Sequence, residues 1–244
     1  MPFDAIFFDH GQTLVSALSV EDMNREFIWP KLKELGTQGT YANFEHARSQ
    51  VFAEKEQDYI IPPIKPRSET TPFLKLVIDK MGPTHLTIEQ IRAISEEGWQ
   101  YHRTITKSYP GTLEMLQWIR DRGLKLAVIS NWYQEELEGY LDQLSLRHFF
   151  DLVMSSEKAG ALKITLKPFQ RALNELNVDP NKVIHVGDSI NQDGACRHLG
   201  ITFVYCTWYQ EEYPDTPAPA VSADQYDFSV KSHAELIETL KTLI

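Results

Sequence analysis

Short apolar runs alternate with helical stripes of apolar residues over much of the chain. The runs are flanked by turn or polar residues, as buried strands are, and they lie at Ala5–Phe8, Leu124–Ile129, Leu152–Met154, Lys182–Val186, Thr202–Cys206 and Tyr226–Val230. Between the later runs, apolar residues recur at helical spacing, as in Phe169, Ala172, Leu173 and Leu176. This alternation predicts an α/β fold, with a doubly wound, Rossmann-like parallel sheet covered on both faces.

The stretch after the first run breaks this rhythm, because it contains helical stripes and no convincing strand. One stripe starts at the capping-box pair Thr87 and Gln90 and consists of Ile88, Ile91 and Ile94. The proline-rich segment Ile60–Pro66 predicts a loop between helices. We therefore predict an α/β core domain over residues 1–14 and 108–244, and a small all-helical cap domain over residues 15–107.

Composition and charge limit the classes of binding partner that we expect. The 244 residues carry 24 Lys and Arg against 34 Asp and Glu, a formal charge of −10. This acidic balance, with no basic cluster, predicts no nucleic-acid or membrane partner. Two cysteines, Cys196 and Cys206, exclude a disulfide framework. With no signal-peptide pattern and no apolar run long enough to span a bilayer, we expect a cytoplasmic protein.

Two carboxylates follow buried runs. Asp9 comes directly after Ala5–Phe8, and Asp188 comes after the run that ends near Val186. Ligands of open α/β sheets bind beyond the carboxyl ends of the strands, and two carboxylates there could share one Mg²⁺. The alternative for Asp9 alone is an Asp that caps the next turn.

A third strand end places polar groups beside these carboxylates. Ser130 and Asn131 follow Leu124–Ile129, and the Ser130 hydroxyl could donate to a phosphate oxygen or simply cap a turn. Lys163 precedes a helix that begins near Pro168. Beside a phosphate, its charge would stabilise the transition state, whereas a lone lysine is usually a solvated surface charge.

These residues together resemble the haloacid dehalogenase (HAD) superfamily, most closely its phosphatase-like members with a helical cap between the first and second motifs. The resemblance runs from Phe7 to Gly200 in four ordered motifs, which are Phe7–Leu14, Leu124–Asn131, the segment from Ser155 through Gly160 and Lys163 to Leu173, and Val186–Asp193. Lys167, which is followed by proline, is the alternative to Lys163.

The resemblance implies a role for each matching residue. Asp9 would be the nucleophile that forms an aspartyl-phosphate, and Ser130 and Lys163 would act with it in catalysis. The substrate's phosphoryl group would be bound by Ser130, Asn131 and Lys163. The metal would be Mg²⁺, held by Asp9, the backbone carbonyl of Gly11 and Asp188. Asp193 would be a nearby carboxylate that orients the site.

Gly11 departs from the family pattern, which has a second Asp there as general acid and base. Gln12 cannot act as an acid near neutral pH, and strand alternation predicts that His10 points away from the face used by Asp9. Donors from the cap remain open as alternatives, and these are His46, Glu54, Glu56, His85 and His102.

Three functions are compatible with these residues. The leading one is a Mg²⁺-dependent phosphatase of a small phosphorylated metabolite. The second is a catalytically weak or silent protein that binds a phosphorylated ligand or a protein partner, as the missing side chain at Gly11 would allow. The third, a 2-haloacid dehalogenase, fits less well because the motif around Asp188 favours metal and phosphate. The aromatic segment Trp208–Tyr213 leaves a homodimer open.

Overall fold

The computed structural model describes residues 3–16, 19–59, 73–212 and 220–244. The chain forms two compact units, one of Met1–Ala17 with Lys107–Ile244 and the other of Leu18–Thr106. We call them the sheet unit and the helical unit. The predicted loop Ile60–Pro66 lies outside the described residues.

The sheet unit is built on one six-stranded sheet. Its strands are β1 Ala5–Phe8, β2 Lys125–Ser130, β3 Leu152–Ser155, β4 Val183–Gly187, β5 Thr202–Cys206 and β6 Phe228–Val230. All neighbouring strands pair in parallel, in the order β3-β2-β1-β4-β5-β6. The predicted doubly wound parallel sheet is therefore confirmed, with strand bounds within two residues of the apolar runs.

The strand order reverses beside β1. The chain passes from β1 to β2 and β3 on one side and then returns to place β4 on the other side. In register, Phe8 lies between Val128 of β2 and Val186 of β4. Because ligands of open α/β sheets bind at such a switch point, the residues that follow β1, β2 and β4 are placed to share one site.

The helical unit contains helices and no strand among its described residues. They are α1 Ser19–Met23, a π-helical turn Asn24–Ile28, α2 Trp29–Glu34, α3 Tyr41–Tyr59, α4 Phe73–Met81 and α5 Ile88–Ile105. The predicted capping box at Thr87 and Gln90 is present at the start of α5. Ile91 and Ile94 are buried as expected, but Ile88 is 37% exposed.

The helices of the sheet unit cover both faces of the sheet. They are α6 Thr112–Arg120, α7 Gln134–Gln143, α8 Ser156–Ala159, α9 Lys167–Leu176 and α10 His233–Leu243. Residues of α6, α7 and α10 pack on the face that carries Ile6 and Phe8. Residues of α8 and α9 pack on the face that carries Ala5 and Phe7. Helices pack on both faces, which explains why the strands are mainly apolar. None of the described helices is long and apolar enough to cross a membrane.

His233, the first residue of α10, is a buried histidine of the sheet unit. Its Nε2 lies 3.2 Å from the Thr112 hydroxyl, and its ring stacks on Trp208 at a centroid distance of 4.4 Å. Burial lowers the pKa of His233 to about 4, although Glu114 opposes this. The folded protein therefore holds this imidazole neutral at pH values where the unfolded chain protonates it.

We expect this histidine to make stability fall between pH 7 and pH 5. The unfolded chain takes up a proton below about pH 6.5 that the folded chain refuses until about pH 4, so the free energy of unfolding drops by about 2 kcal/mol. Urea unfolding of wild type and His233→Gln at both pH values measures this drop. Burial also lowers the pKa of His102 to about 4, which adds a drop of its own in both proteins. The drop in the variant should therefore be smaller than in the wild type by about 2 kcal/mol, and an equal drop in both proteins would contradict the prediction.

Candidate active site

Asp9 lies at the carboxyl end of β1, beside the switch point. Its backbone N–H donates to the Val186 carbonyl at 2.9 Å, which continues the pairing of β1 with β4. Strand alternation places its side chain on the same face as Phe7. His10 lies on the other face, where its ring packs against Tyr140 of α7 at 5.4 Å. As predicted, His10 thus points away from the face used by Asp9.

Lys163 reaches Asp9 although 154 residues separate them in the sequence. Its ammonium donates to Asp9 Oδ1 at 2.6 Å and to Asp193 Oδ1 at 2.5 Å. All three side chains are buried. Lys167, the alternative raised by the following proline, is exposed at the start of α9. The lysine that lies beside Asp9 is therefore Lys163.

Asp193 is held by donors on both of its oxygens. Oδ1 accepts from Lys163 and from His185 Nε2, the latter at 2.8 Å, and Oδ2 accepts from the Ser189 backbone N–H at 3.0 Å. The Asp193 carboxylate packs directly against Gly187. Any larger residue at 187 would clash with it, because a Cβ atom there would lie only 2.3 Å from Asp193 Cγ. Both oxygens of Asp193 thus accept hydrogen bonds from the protein, and its role as an orienting carboxylate stays a prediction.

Asp188 completes an acidic cluster with Asp9 and Asp193. One oxygen from each of the three carboxylates lies within 4.8 Å of the others. Thr13 approaches Asp188 Oδ1 at a long distance of 3.5 Å. Burial raises the pKa of Asp188 well above its usual range, and the charges of Asp9 and Asp193 raise it further. The charged form of Asp188 is therefore unfavourable beside these carboxylates unless a cation binds there.

Lys163 compensates only part of this negative charge. Burial raises the pKa of Asp9, although Lys163 opposes the shift. Burial disfavours the lysine's charge, but Asp193 and Asp9 outweigh it and raise the pKa of Lys163. Burial likewise opposes the Asp193 charge, yet Lys163 and His185 lower the pKa of Asp193. The ion pair belongs mainly to Lys163 and Asp193, and Asp9 and Asp188 remain short of positive charge.

The donor set fits Mg²⁺. The clustered side chains offer carboxylate oxygens, which this hard cation prefers. The raised pKa values of Asp9 and Asp188 show that the protein itself stabilises their charged forms too little, and a divalent ion would stabilise them. Asp193 is less suited as a ligand because protein donors already occupy both oxygens. The participation of the Gly11 carbonyl stays a prediction.

Ser130 is the last residue of β2, and Asn131 follows it. Their side chains differ in their hydrogen bonds. Among the residues that the structure describes, the buried Ser130 hydroxyl has no hydrogen-bond partner, so it is available to a ligand. The Asn131 side chain accepts from the Lys163 backbone N–H at 2.9 Å and donates to Gln192 Oε1 at 3.0 Å. Contact between the Asn131 side chain and substrate stays a prediction, because its amide already ties the Lys163 loop to Gln192.

Gly11 leaves open space where the family has a carboxylate. A Cβ atom placed on it has no heavy atom within 4 Å, and its backbone is not in the left-handed region. Four of the proton donors considered from sequence have partners inside the helical unit, namely His46 with Gln50, Glu54 with Lys80, His85 with Leu35 and His102 with Thr106. The Glu56 side chain lies outside the described residues. Burial also lowers the pKa of His102 to about 4.

Two contributors were not recognised from the sequence. His185 lies inside the apolar run of β4, and Gln192 lies in the polar turn before Asp193. A polar ring in the middle of a buried strand was the available signal for His185, because a buried polar group needs a partner. Gln192 carried no signal of this kind.

Comparison with known proteins finds hydrolases of one family and a phosphatase. The model of the haloacid dehalogenase-like hydrolase family matches residues 37–206. A glyceraldehyde 3-phosphate phosphatase of Methanocaldococcus jannaschii is 26% identical over 98% of this chain and 97% of that protein. The haloacid dehalogenase-like hydrolase domain-containing protein 3 of Xenopus laevis is 40% identical over 93 residues, which are 38% of each chain.

A solved structure has a similar fold. The 2-haloacid dehalogenase of Pseudomonas syringae superposes with a TM-score of 0.68 at 18% identity, over 99% of this chain and all of that one. At this identity the likeness concerns the fold alone.

Proposed function

This chain belongs to the haloacid dehalogenase-like hydrolase family, and we propose that it is a Mg²⁺-dependent phosphatase of a small phosphorylated metabolite. The observation that carries the proposal is the buried contact of Lys163 with Asp9, beside the carboxylate of Asp188 at the switch point. The phosphatase activity of the full-length archaeal relative supports the same choice.

In the proposed reaction, Asp9 attacks the phosphorus atom of the substrate. Lys163 occupies Oδ1, so we assign the attack to Oδ2. The bond from phosphorus to the leaving oxygen breaks, and an aspartyl-phosphate forms on Asp9. Lys163 and the unpartnered hydroxyl of Ser130 hold the phosphoryl oxygens, where positioning and charge supply most of the catalysis in phosphoryl transfer.

Water then attacks the phosphorus of the aspartyl-phosphate and releases phosphate with a regenerated Asp9. Asp9 and Asp188 would hold Mg²⁺, which supplies charge neutralisation for the incoming phosphate when it is bound. Asp193 keeps Lys163 in place throughout, because both of its oxygens are anchored to the protein.

The second candidate is a catalytically weak or silent protein that binds a phosphorylated ligand or a protein partner. The absence of a side chain at Gly11 favours it, since loss of a general acid costs about 10²–10⁴-fold in rate. A 2-haloacid dehalogenase shares this fold, which kept dehalogenation open as a third function. The acidic cluster of Asp9 and Asp188 supports metal-assisted phosphate chemistry instead, because like charges gathered in one site call for a cation.

We expect hydrolysis of an aryl phosphate by the wild type to require Mg²⁺, and Asp188→Asn to weaken Mg²⁺ binding by more than about tenfold. Titration calorimetry and a phosphate-release assay measure both. Without metal, the variant should be at least as stable as the wild type, because it removes a carboxylate that is repelled by its neighbours.

Asp142→Asn, the same change at an exposed residue of α7, is the control and should alter neither measurement. Unchanged Mg²⁺ affinity in Asp188→Asn would contradict the metal assignment. A wild type that binds Mg²⁺ and a phosphorylated ligand without turnover would favour the silent binding protein.

A further inference from the structure

His185 is a polar residue in the middle of β4, where all of its strand neighbours are glycine or apolar. It is completely buried. Its ring lies edge-on to Phe169 of α9 at 4.9 Å and parallel to Phe203 of β5 at 6.2 Å. The two aromatic rings restrict the imidazole to one orientation, with Nε2 directed at Asp193.

The other ring nitrogen has no partner. His185 Nδ1 is buried and makes no hydrogen bond among the residues that the structure describes. An unsatisfied buried polar atom costs about 1–3 kcal/mol, so an apolar side chain would suit the fold better at this position. Within the described part of the chain, Asp193 makes the one polar contact of His185, and this contact explains a histidine in this strand.

His185 and Lys163 both donate to the same oxygen of Asp193. Nε2 donates to Asp193 Oδ1 at 2.8 Å, and the Lys163 ammonium donates to it at 2.5 Å. We propose that His185 is a positioning residue, which shares Asp193 Oδ1 with Lys163 and thereby keeps the ammonium between Asp193 and Asp9.

The physical reason is competition for one acceptor. A carboxylate oxygen offers about two lone-pair sites, and His185 fills one of them and reduces the attraction of Asp193 for the lysine. Without this donor, the ammonium is drawn wholly towards Asp193, and its 2.6 Å bond to Asp9 Oδ1 lengthens. Lys163 then lies farther from the phosphoryl group that Asp9 receives. Its charge would stabilise the transition state less while ground-state binding changes little.

Two substitutions separate this role from a packing role. His185→Leu removes the donor and keeps an apolar side chain, so we expect unchanged or higher thermal stability with a kcat about tenfold lower and a nearly constant KM. His185→Gln places an amide N–H where Nε2 lies, and we expect it to restore much of kcat. Ile184→Val, which removes a buried methyl group from the other face of β4, should lower stability and leave kcat close to wild type.

The kinetic readout rests on the proposed phosphatase function, so crystal structures of the wild type, His185→Leu and His185→Gln provide an independent one. The distance between Lys163 Nζ and Asp9 Oδ1 should exceed hydrogen-bond length only in His185→Leu. Wild-type inactivity on aryl phosphate with Mg²⁺ would overturn the proposed function, while the lengthened distance would still support the positioning role. An unchanged distance, or loss of stability with unchanged kcat in His185→Leu, would overturn the positioning role itself.

Discussion

Replacing Asp9 with asparagine is expected to lower kcat for aryl phosphate by more than about a thousandfold, because an amide cannot form the aspartyl-phosphate. Lys163 keeps its bond to Asp193 in this variant, and the amide has nearly the shape of the carboxylate. The fold should therefore survive. Phosphate release under saturating substrate and Mg²⁺ measures the loss, and circular dichroism checks the fold.

Asp4→Asn is the matched control for this substitution. Asp4 immediately precedes β1 and is exposed, so the same chemical change there should leave kcat within about twofold of wild type. A folded Asp9→Asn protein that retains more than about a tenth of the activity would show that the nucleophile is elsewhere.

Replacing Gly11 with aspartate is expected to raise alkyl-phosphate turnover by up to about 10²–10⁴-fold, the usual contribution of a general acid. A Cβ atom at Gly11 meets no heavy atom within 4 Å, so the first side-chain atom fits without a backbone change. Aryl and acyl phosphates should gain much less, because their weakly basic leaving groups depart with little help from a proton. The measurement is the dependence of kcat/KM on leaving-group basicity in both proteins.

Gly11→Asn separates proton transfer from the effects of side-chain size. It is nearly isosteric with Gly11→Asp but cannot donate a proton, so its leaving-group dependence should stay as steep as in the wild type. Equal dependence in wild type and Gly11→Asp would show that another group already protonates the leaving oxygen. Activity that appears only in Gly11→Asp would identify the natural protein as a silent member of the family.

Local patterning was sufficient for the sheet. Four successive apolar residues between polar neighbours define β1 with its observed bounds, Ala5–Phe8, because a strand covered on both faces needs apolar side chains at every position. The placement of Asp9 and Asp188 at one site followed from the same pattern, since strand ends of a parallel sheet share one edge.

Contacts between residues that are far apart in the sequence could not be predicted from the local pattern of apolar and polar residues. The resemblance to the family left Lys163 and Lys167 both open, and only the tertiary structure shows Lys163 buried against Asp9 while Lys167 is exposed. The substrate contact that the resemblance implies for Asn131 stays a prediction, and the contacts of its amide with the Lys163 backbone and with Gln192 were seen only in the structure. Partner choice for a polar side chain depends on which segments meet in space, and neither periodicity nor spacing records that.

The central claim is that Asp9 carries the phosphoryl group during turnover. The most direct measurement is peptide mass spectrometry of the wild type, quenched in acid during steady-state hydrolysis of an aryl phosphate with Mg²⁺. We predict a phosphoryl group on Asp9 that is absent from Asp9→Asn treated in the same way. A phosphoryl group on a different residue during turnover, with Asp9 unmodified, would contradict the account.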